Sequence, residues 1–168
     1  MRVEHGNHMT GTARQTDAGQ EQAGKHDRIA MWIMRLRTLA DRCGALDRQD
    51  MAQLMLHAEA VILDCPPQVS RWCQPASLPS MRAQRLEAGA YVDFALALCS
   101  EPMTYMITRS CDGHALVTMA LPPLGEERTC EAEDLPLAIL EALARLLAQI
   151  AAGRARRRPA PAIGHRLH

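Results

Sequence analysis

The sequence predicts an α+β fold: an N-terminal antiparallel helical hairpin, a three-stranded antiparallel β-meander and a long C-terminal covering helix, with disordered tails. Three observations lead to this prediction. Apolar residues recur at helical spacing in two neighbouring segments, alternate with period two between residues 91 and 121, and surround most of the segment 134–152. A three-stranded sheet cannot bury its apolar face alone, so helices must cover it.

Two amphipathic helices are predicted over residues 28–43 and 48–64. Their apolar stripes are Ile29, Trp32, Ile33, Leu36, Leu39, Ala40 and Cys43 in the first, and Met51, Leu54, Met55, Ala58, Val61, Ile62 and Cys65 in the second. Gly44 suits the C-cap of the first helix because glycine tolerates positive φ. Asp47 suits the N-cap of the second, since its carboxylate accepts from free backbone amides. The short connection between the helices favours antiparallel packing.

Strands are predicted over residues 91–99, 103–110 and 114–121, where the apolar period changes to two. Asp112-Gly113 indicates a type I′ hairpin turn, which requires positive φ at both central residues. The first of the three strands has one face formed by Val92, Phe94, Leu96 and Leu98.

The remaining connections are less regular. Residues 66–80 contain four prolines and are predicted to be irregular. Residues 82–88 fit either one or two helical turns or an early strand, and the pattern does not decide between them. Residues 124–133 are predicted to be an acidic loop.

The last helix, predicted over residues 134–152 with Gly153 as its C-cap, has a single narrow polar stripe formed by Glu141, Arg145 and Gln149. A helix that is apolar around most of its surface is buried on more than one side. Two arrangements remain open: the helix lies between the sheet and the hairpin, or one of its faces meets a second copy of the chain. A membrane span is disfavoured, because an arginine near the centre costs about 2.5–3.5 kcal/mol on insertion scales.

The domain is therefore predicted over residues 28–153, between disordered segments at 1–27 and 154–168. Net charge is zero, but residues 91–152 carry three basic and nine acidic side chains. This acidity disfavours a general nucleic-acid surface on the folded part. The N-terminal segment lacks the apolar run of a signal peptide, which predicts a cytoplasmic protein with reduced thiols.

The local group whose side chains are best suited to metal binding is Cys111-Asp112-Gly113-His114. Cys99 and Cys130 are further candidate metal ligands. Zinc needs about four thiolate or imidazole ligands, and this motif supplies two of them. A hairpin turn flanked by Cys111 and His114 is the favoured interpretation, so the metal site is only a weak hypothesis.

Cys65 and Cys73, with His57 one helical face away, form a second weak ligand set. Cys65 continues an apolar stripe, so burial explains it better than metal binding. A nucleophilic Cys–His pair would need a hydrogen bond and a third orienting group. No phosphate loop, hydrolase elbow or dinucleotide motif occurs, so the sequence predicts neither an enzyme nor a bound cofactor.

A concentrated positive charge follows the last helix and consists of Arg154, Arg156, Arg157 and Arg158. It is a candidate interaction tail, and nucleic acid is a conceivable partner through this tail alone. The favoured hypothesis is a non-enzymatic interaction or regulatory module that binds a protein partner or self-associates, for instance as a homodimer. The alternatives are a nucleic-acid-associated regulator using the tail and a small metal-binding or thiol protein centred on Cys111 and His114.

Overall fold

The computed structural model describes residues 13–45 and 51–156. Within these residues the chain forms five α-helices and one antiparallel sheet with strand order β1-β2-β3. The helices are α1 (Ala13–Cys43), α2 (Met51–Leu63), α3 (Pro79–Glu87), α4 (Tyr91–Ala97) and α5 (Leu135–Arg156), the strands are β1 (Thr104–Arg109), β2 (Ala115–Leu121) and β3 (Glu126–Ala132), and short 3₁₀ turns occupy Ser70–Trp72 and Pro122–Leu124. The predicted α+β class is confirmed.

The N-terminal hairpin is present, with α1 packed against α2 through their apolar stripes. The indole Nε1 of Trp32 donates to the carbonyl of Val61 at 2.7 Å, and Arg35 forms an ion pair with Asp64. These contacts join residues at similar distances from the connection, as antiparallel packing requires. Residues 46–50, which include the predicted N-cap Asp47, lie outside the described residues.

The predicted disordered segment at 1–27 is wrong for residues 13–27, which form the first turns of α1. This stretch has no apolar stripe, but it contains three alanines and three glutamines, which favour helix intrinsically. Extending an existing helix avoids the cost of a new nucleus, so these residues can continue α1 without an apolar stripe of their own. Residues 1–12 lie outside the described residues.

The strand predicted over residues 91–99 is wrong, because residues Tyr91–Ala97 form helix α4. A short apolar run fits both periods, and here Phe94, Ala95, Ala97 and Leu98 are the buried residues. Their spacing is helical, and the alanines favour helix over strand. Residues 82–88, which the pattern did not assign, belong largely to helix α3.

The third strand of the sheet is β3, within the segment predicted to be an acidic loop. Only Cys130 of its seven residues is buried, so the strand has almost no apolar signal of its own. Backbone pairing with β2 and an outward hydrogen bond of 2.8 Å between the Thr118 and Thr129 hydroxyls hold it in register. Gly125, with φ of 65°, supplies the left-handed residue that starts β3.

Helix α5 lies between two layers: α1 packs on one side of it, and β2 and β3 pack on the other. Twelve of its residues are buried, and this selects the arrangement between sheet and hairpin for the single chain. By length and composition α5 could cross a membrane, but 67% of its most apolar 18-residue stretch is buried inside the fold.

The predicted helix ends are partly wrong. The last helix continues through Gly153 to Arg156, so residues 154–156 of the predicted disordered tail are helical. Neither Gly44 nor Gly153 has a positive φ, although Gly44 does follow the predicted end of α1. The arginines at the end of α5 are favourably placed near the negative end of the helix dipole, which offsets part of the cost of an internal glycine.

Candidate interaction surface

Strand β1 has exposed side chains at every position. Tyr105 is 52% exposed, Met106 is 59% exposed and Ile107 is 37% exposed. Strand β1 lies at the edge of the sheet and pairs with β2 alone among the described elements. We call the exposed strand Thr104–Arg109 the β1 surface.

The β1 surface continues the apolar face of the sheet. Tyr105 is paired with Met119 and Ile107 with Val117, and both of these β2 partners are completely buried. Paired residues in an antiparallel sheet project to the same side. Tyr105 and Ile107 therefore lie on the helix-covered side of the sheet, but α5 packs against β2 and β3 and leaves them uncovered.

The backbone of β1 also presents hydrogen-bonding groups on its outer edge that have no backbone partner among the described residues. At the end of the hairpin the amide of Ser110 donates to the carbonyl of His114 at 3.0 Å, so residue 110 faces β2. Backbone direction alternates along a strand, and the register therefore directs Tyr105, Ile107 and Arg109 towards the open edge. An exposed edge with apolar side chains is a template for pairing with another chain.

The Cys111–His114 motif forms the tip of the β1–β2 hairpin. Only Gly113 has a positive φ there, at 92°, so the predicted type I′ turn is replaced by a three-residue loop with a left-handed glycine. The Ser110 hydroxyl donates to the Asp112 carboxylate, and the His114 amide donates to it at 3.3 Å. These hydrogen bonds, led by that from Ser110, lower the pKa of Asp112.

Asp112, His114 and Glu131 bring one ligand atom each within 4.8 Å of one another at this tip. Nδ1 of His114 lies 3.6 Å from Oε1 of Glu131, and all three residues are exposed. In the described part of the chain no other set of three or more such side chains converges in this way. The set contains no thiol, and its contacts are those of a hydrogen-bonded turn.

The predicted cysteine ligands are dispersed instead. Cys111 is exposed, whereas Cys99 at the end of α4 and Cys130 on β3 are buried. Burial raises the pKa of the Cys99 thiol to about 12. Burial, and then the Glu141 charge, raise the pKa of Cys130 to about 11. A thiol held in its protonated form is a poor metal ligand. Among the described residues none of these cysteines belongs to a set of three or more converging ligands, and a metal site at Cys111 and His114 stays a prediction.

The polar stripe of α5 lines a groove of about 900 Å³ beside β3. Glu141 accepts from Nε of Arg145 at 2.8 Å, and Gln149 donates to Glu126. Arg145 also approaches Asp41 of α1 at 3.7 Å. The i, i+4 order of the stripe predicted the helical ion pair, and the structure shows that this pair faces the groove.

The structure describes only the first part of the predicted interaction tail. Arg154 and Arg156 lie in the last turn of α5, and Arg156 lines the rim of the groove. Arg157 and Arg158 lie outside the described residues, so contact with nucleic acid stays a prediction.

The sequence pattern did not identify the β1 surface. A usable signal is that Tyr105, Met106 and Ile107 are consecutive, which makes both faces of the strand apolar instead of one. In comparisons with known proteins, no family model, curated protein or solved structure shows significant similarity to this chain.

Cysteine accessibility provides a direct test of these placements. We expect iodoacetamide at about pH 8 to modify Cys111 on the native protein, while Cys130 reacts about 100-fold more slowly because its pKa is about 11. Its protection should weaken as pH rises towards 11, since the thiolate fraction grows about tenfold per unit. Peptide mass mapping of timed samples measures both rates.

A Cys111→Ser variant serves as the control and should lose the rapid modification of the peptide that contains residue 111. Equal labelling rates for Cys111 and Cys130 at about pH 8 would contradict the buried position of Cys130 on β3.

Proposed function

We propose that this protein is a non-enzymatic interaction module that self-associates through the β1 surface. The observation that carries the proposal is an edge strand exposed on both faces that continues the apolar side of the sheet beyond the reach of α5. Burying this surface against a second copy removes Tyr105, Met106 and Ile107 from water and closes the open edge.

The sequence of β1 is suited to pairing with itself. In a two-fold antiparallel arrangement centred on Ile107, each Ile107 meets its counterpart and each Tyr105 meets the counterpart of Arg109. This register uses the outward backbone groups of all three residues. Arg109 is the single charged residue of the strand, and it lies opposite an aromatic ring instead of a like charge. Self-pairing is therefore free of direct charge repulsion.

The two-fold axis also keeps the faces of the two sheets aligned. In this register Met106 meets the counterpart of Thr108, on the outer side of the sheet, while Ile107 and Tyr105 remain on the helix-covered side. The apolar faces of the two copies then merge across the interface. An extended peptide from another protein would satisfy the same backbone groups, but it lacks this built-in complementarity.

The proposal predicts a homodimer whose stability depends on position 107. Ile107→Lys should weaken dimerisation at least about 100-fold, because it places two positive charges opposite each other at the axis. Ile107→Glu should have the same effect. An equimolar mixture of the two variants should recover a dimer, since each lysine then meets a glutamate. Size-exclusion chromatography with light scattering at tens of micromolar measures all three cases.

The matched control is Glu127→Lys, an exposed change on the opposite edge strand, which should leave the dimer intact. A wild-type chain that is strictly monomeric at this concentration refutes self-association. A dimer that persists in Ile107→Lys refutes β1 as the interface.

A further inference from the structure

The segment between Cys65 and Cys73 folds back on itself. Cys65 follows the end of α2, and Pro66-Pro67 prevents the helix from continuing. The amide of Val69 then donates to the carbonyl of Pro66 at 3.0 Å, and the amide of Cys73 donates to that of Ser70 at 3.0 Å. These consecutive turns return the chain to the end of α2.

The consequence is a contact between two sulfur atoms. The Cys65 and Cys73 thiols are in hydrogen-bonding contact, and both are free in this structure. Cys65 is partly exposed, whereas Cys73 is buried. Cys65 is therefore the more accessible of the two to a small reagent.

Among the other thiols of the described residues, Cys43 and Cys130 are close enough for their charges to interact, but no hydrogen bond joins them. Both are buried, so neither offers a sulfur to a reagent in solution. Cys111 is exposed at the tip of the β1–β2 hairpin and Cys99 is buried at the end of α4. The combination of contact and access distinguishes the Cys65–Cys73 pair.

We propose that Cys65 and Cys73 form a reversible disulfide by exchange with a small-molecule disulfide such as glutathione disulfide. The Cys65 thiolate attacks one sulfur of the reagent, a mixed disulfide forms, and one glutathione thiolate leaves. The Cys73 sulfur, after losing its proton to solvent, attacks the Cys65 sulfur of the mixed disulfide and expels the second glutathione. In sum, two protein thiols are oxidised and one glutathione disulfide is reduced to two glutathione molecules.

The bond would fasten the turn segment that carries Val69 and Trp72 into the core. Closing a loop of this length restricts the unfolded chain, and we expect the midpoint of thermal unfolding to rise by roughly 5–10 °C. Trp72 precedes Cys73 in the sequence, and the guanidinium of Arg71 lies over its indole. The Cζ atom of Arg71 is 3.9 Å from the centroid of the indole ring. The fluorescence of Trp72 therefore gives a second readout of the bond.

The test equilibrates the full-length purified protein in glutathione buffers of increasing oxidation, quenches with acid and maps the cysteines by mass spectrometry. We expect a Cys65–Cys73 cross-link that appears at milder conditions than any other disulfide and is reversed by excess reduced glutathione. The Cys73→Ser and Cys73→Ala variants should trap glutathione on Cys65. The Cys65→Ser variant should leave Cys73 unmodified, because its buried sulfur has no access to the reagent.

Each alternative result overturns the proposal. If glutathione stays bound to Cys65 in the wild-type chain, the Cys73 sulfur cannot reach the mixed disulfide. Failure of both cysteines to oxidise before the protein unfolds shows that the contact is not productive, and a cross-link of either cysteine to another thiol assigns the pairing elsewhere. The result does not depend on the oligomeric state, since the readout is a bond within one chain.

Discussion

Replacing Leu143 with alanine is expected to lower the free energy of unfolding by about 3 kcal/mol. Leu143 is completely buried in the middle of α5, on the side of the helix away from the polar stripe. The lost transfer free energy adds to the cost of a cavity, because α1 and the sheet hold α5 from both sides and limit its relaxation. Urea denaturation followed by circular dichroism measures the change.

The same substitution at Leu56 is the matched control for this prediction. Leu56 lies on α2 and is 44% exposed, so its loss should cost less than about 1 kcal/mol. Similar losses at the two positions would show that α5 is not enclosed. For an interpretable comparison, both variants need to be measured at one protein concentration, because self-association would add to the apparent stability.

The second large effect is expected at Arg82. This arginine is only 2% exposed; its Nε donates to Oε1 of Glu59 at 2.6 Å, and its guanidinium also donates to the carbonyl of Ser77. Removing one partner of a buried ion pair leaves the other charge unpaired, and Arg82→Ala should cost about 3 kcal/mol. The Glu59 side chain retains 21% of its exposure, which places the expected cost near the lower end of the usual range.

A double-mutant cycle separates the ion pair from the packing of the arginine. Arg82→Met keeps much of the side-chain volume, and combining it with Glu59→Gln removes both charges together. We expect the double variant to be at least about 1 kcal/mol more stable than the sum of the single changes predicts. Strict additivity would mean that the contact between α2 and α3 contributes through packing alone.

The elements that could be predicted from the sequence are those that bury one continuous stripe. The stripes on α1, α2 and α5 repeat over several turns, so burial and helical period agree with one another. The prediction of a strand in place of α4 was wrong because seven residues are too few to distinguish the helical period from the strand period. Strand β3 was not predicted because backbone pairing with β2 holds it in the sheet. Its side chains are mostly solvent-exposed and give no apolar pattern.

The candidate sites divide in the same way. The Asp112-Gly113 pair correctly indicated a hairpin, because turn preferences are local. Whether Cys99 and Cys130 join Cys111 depends on where α4 and β3 lie, and both elements were assigned wrongly. The exposure of Tyr105 and Ile107 depends on how far α5 extends across the sheet, which no local pattern records. The contact of Cys65 with Cys73 likewise depends on turns within a segment predicted only as irregular.

The central position of α5 also bears on how the chain folds during synthesis. Helices α1 and α2 leave the ribosome before the sheet does. Helix α5, which fills the space between α1 and the sheet, is translated after every element it contacts. Contacts of such large sequence separation slow folding, because the loop between them must be ordered first. In a nascent chain the part of α1 that contacts α5 therefore stays uncovered until translation passes residue 156, and cellular chaperones that shield hydrophobic segments have that interval in which to act.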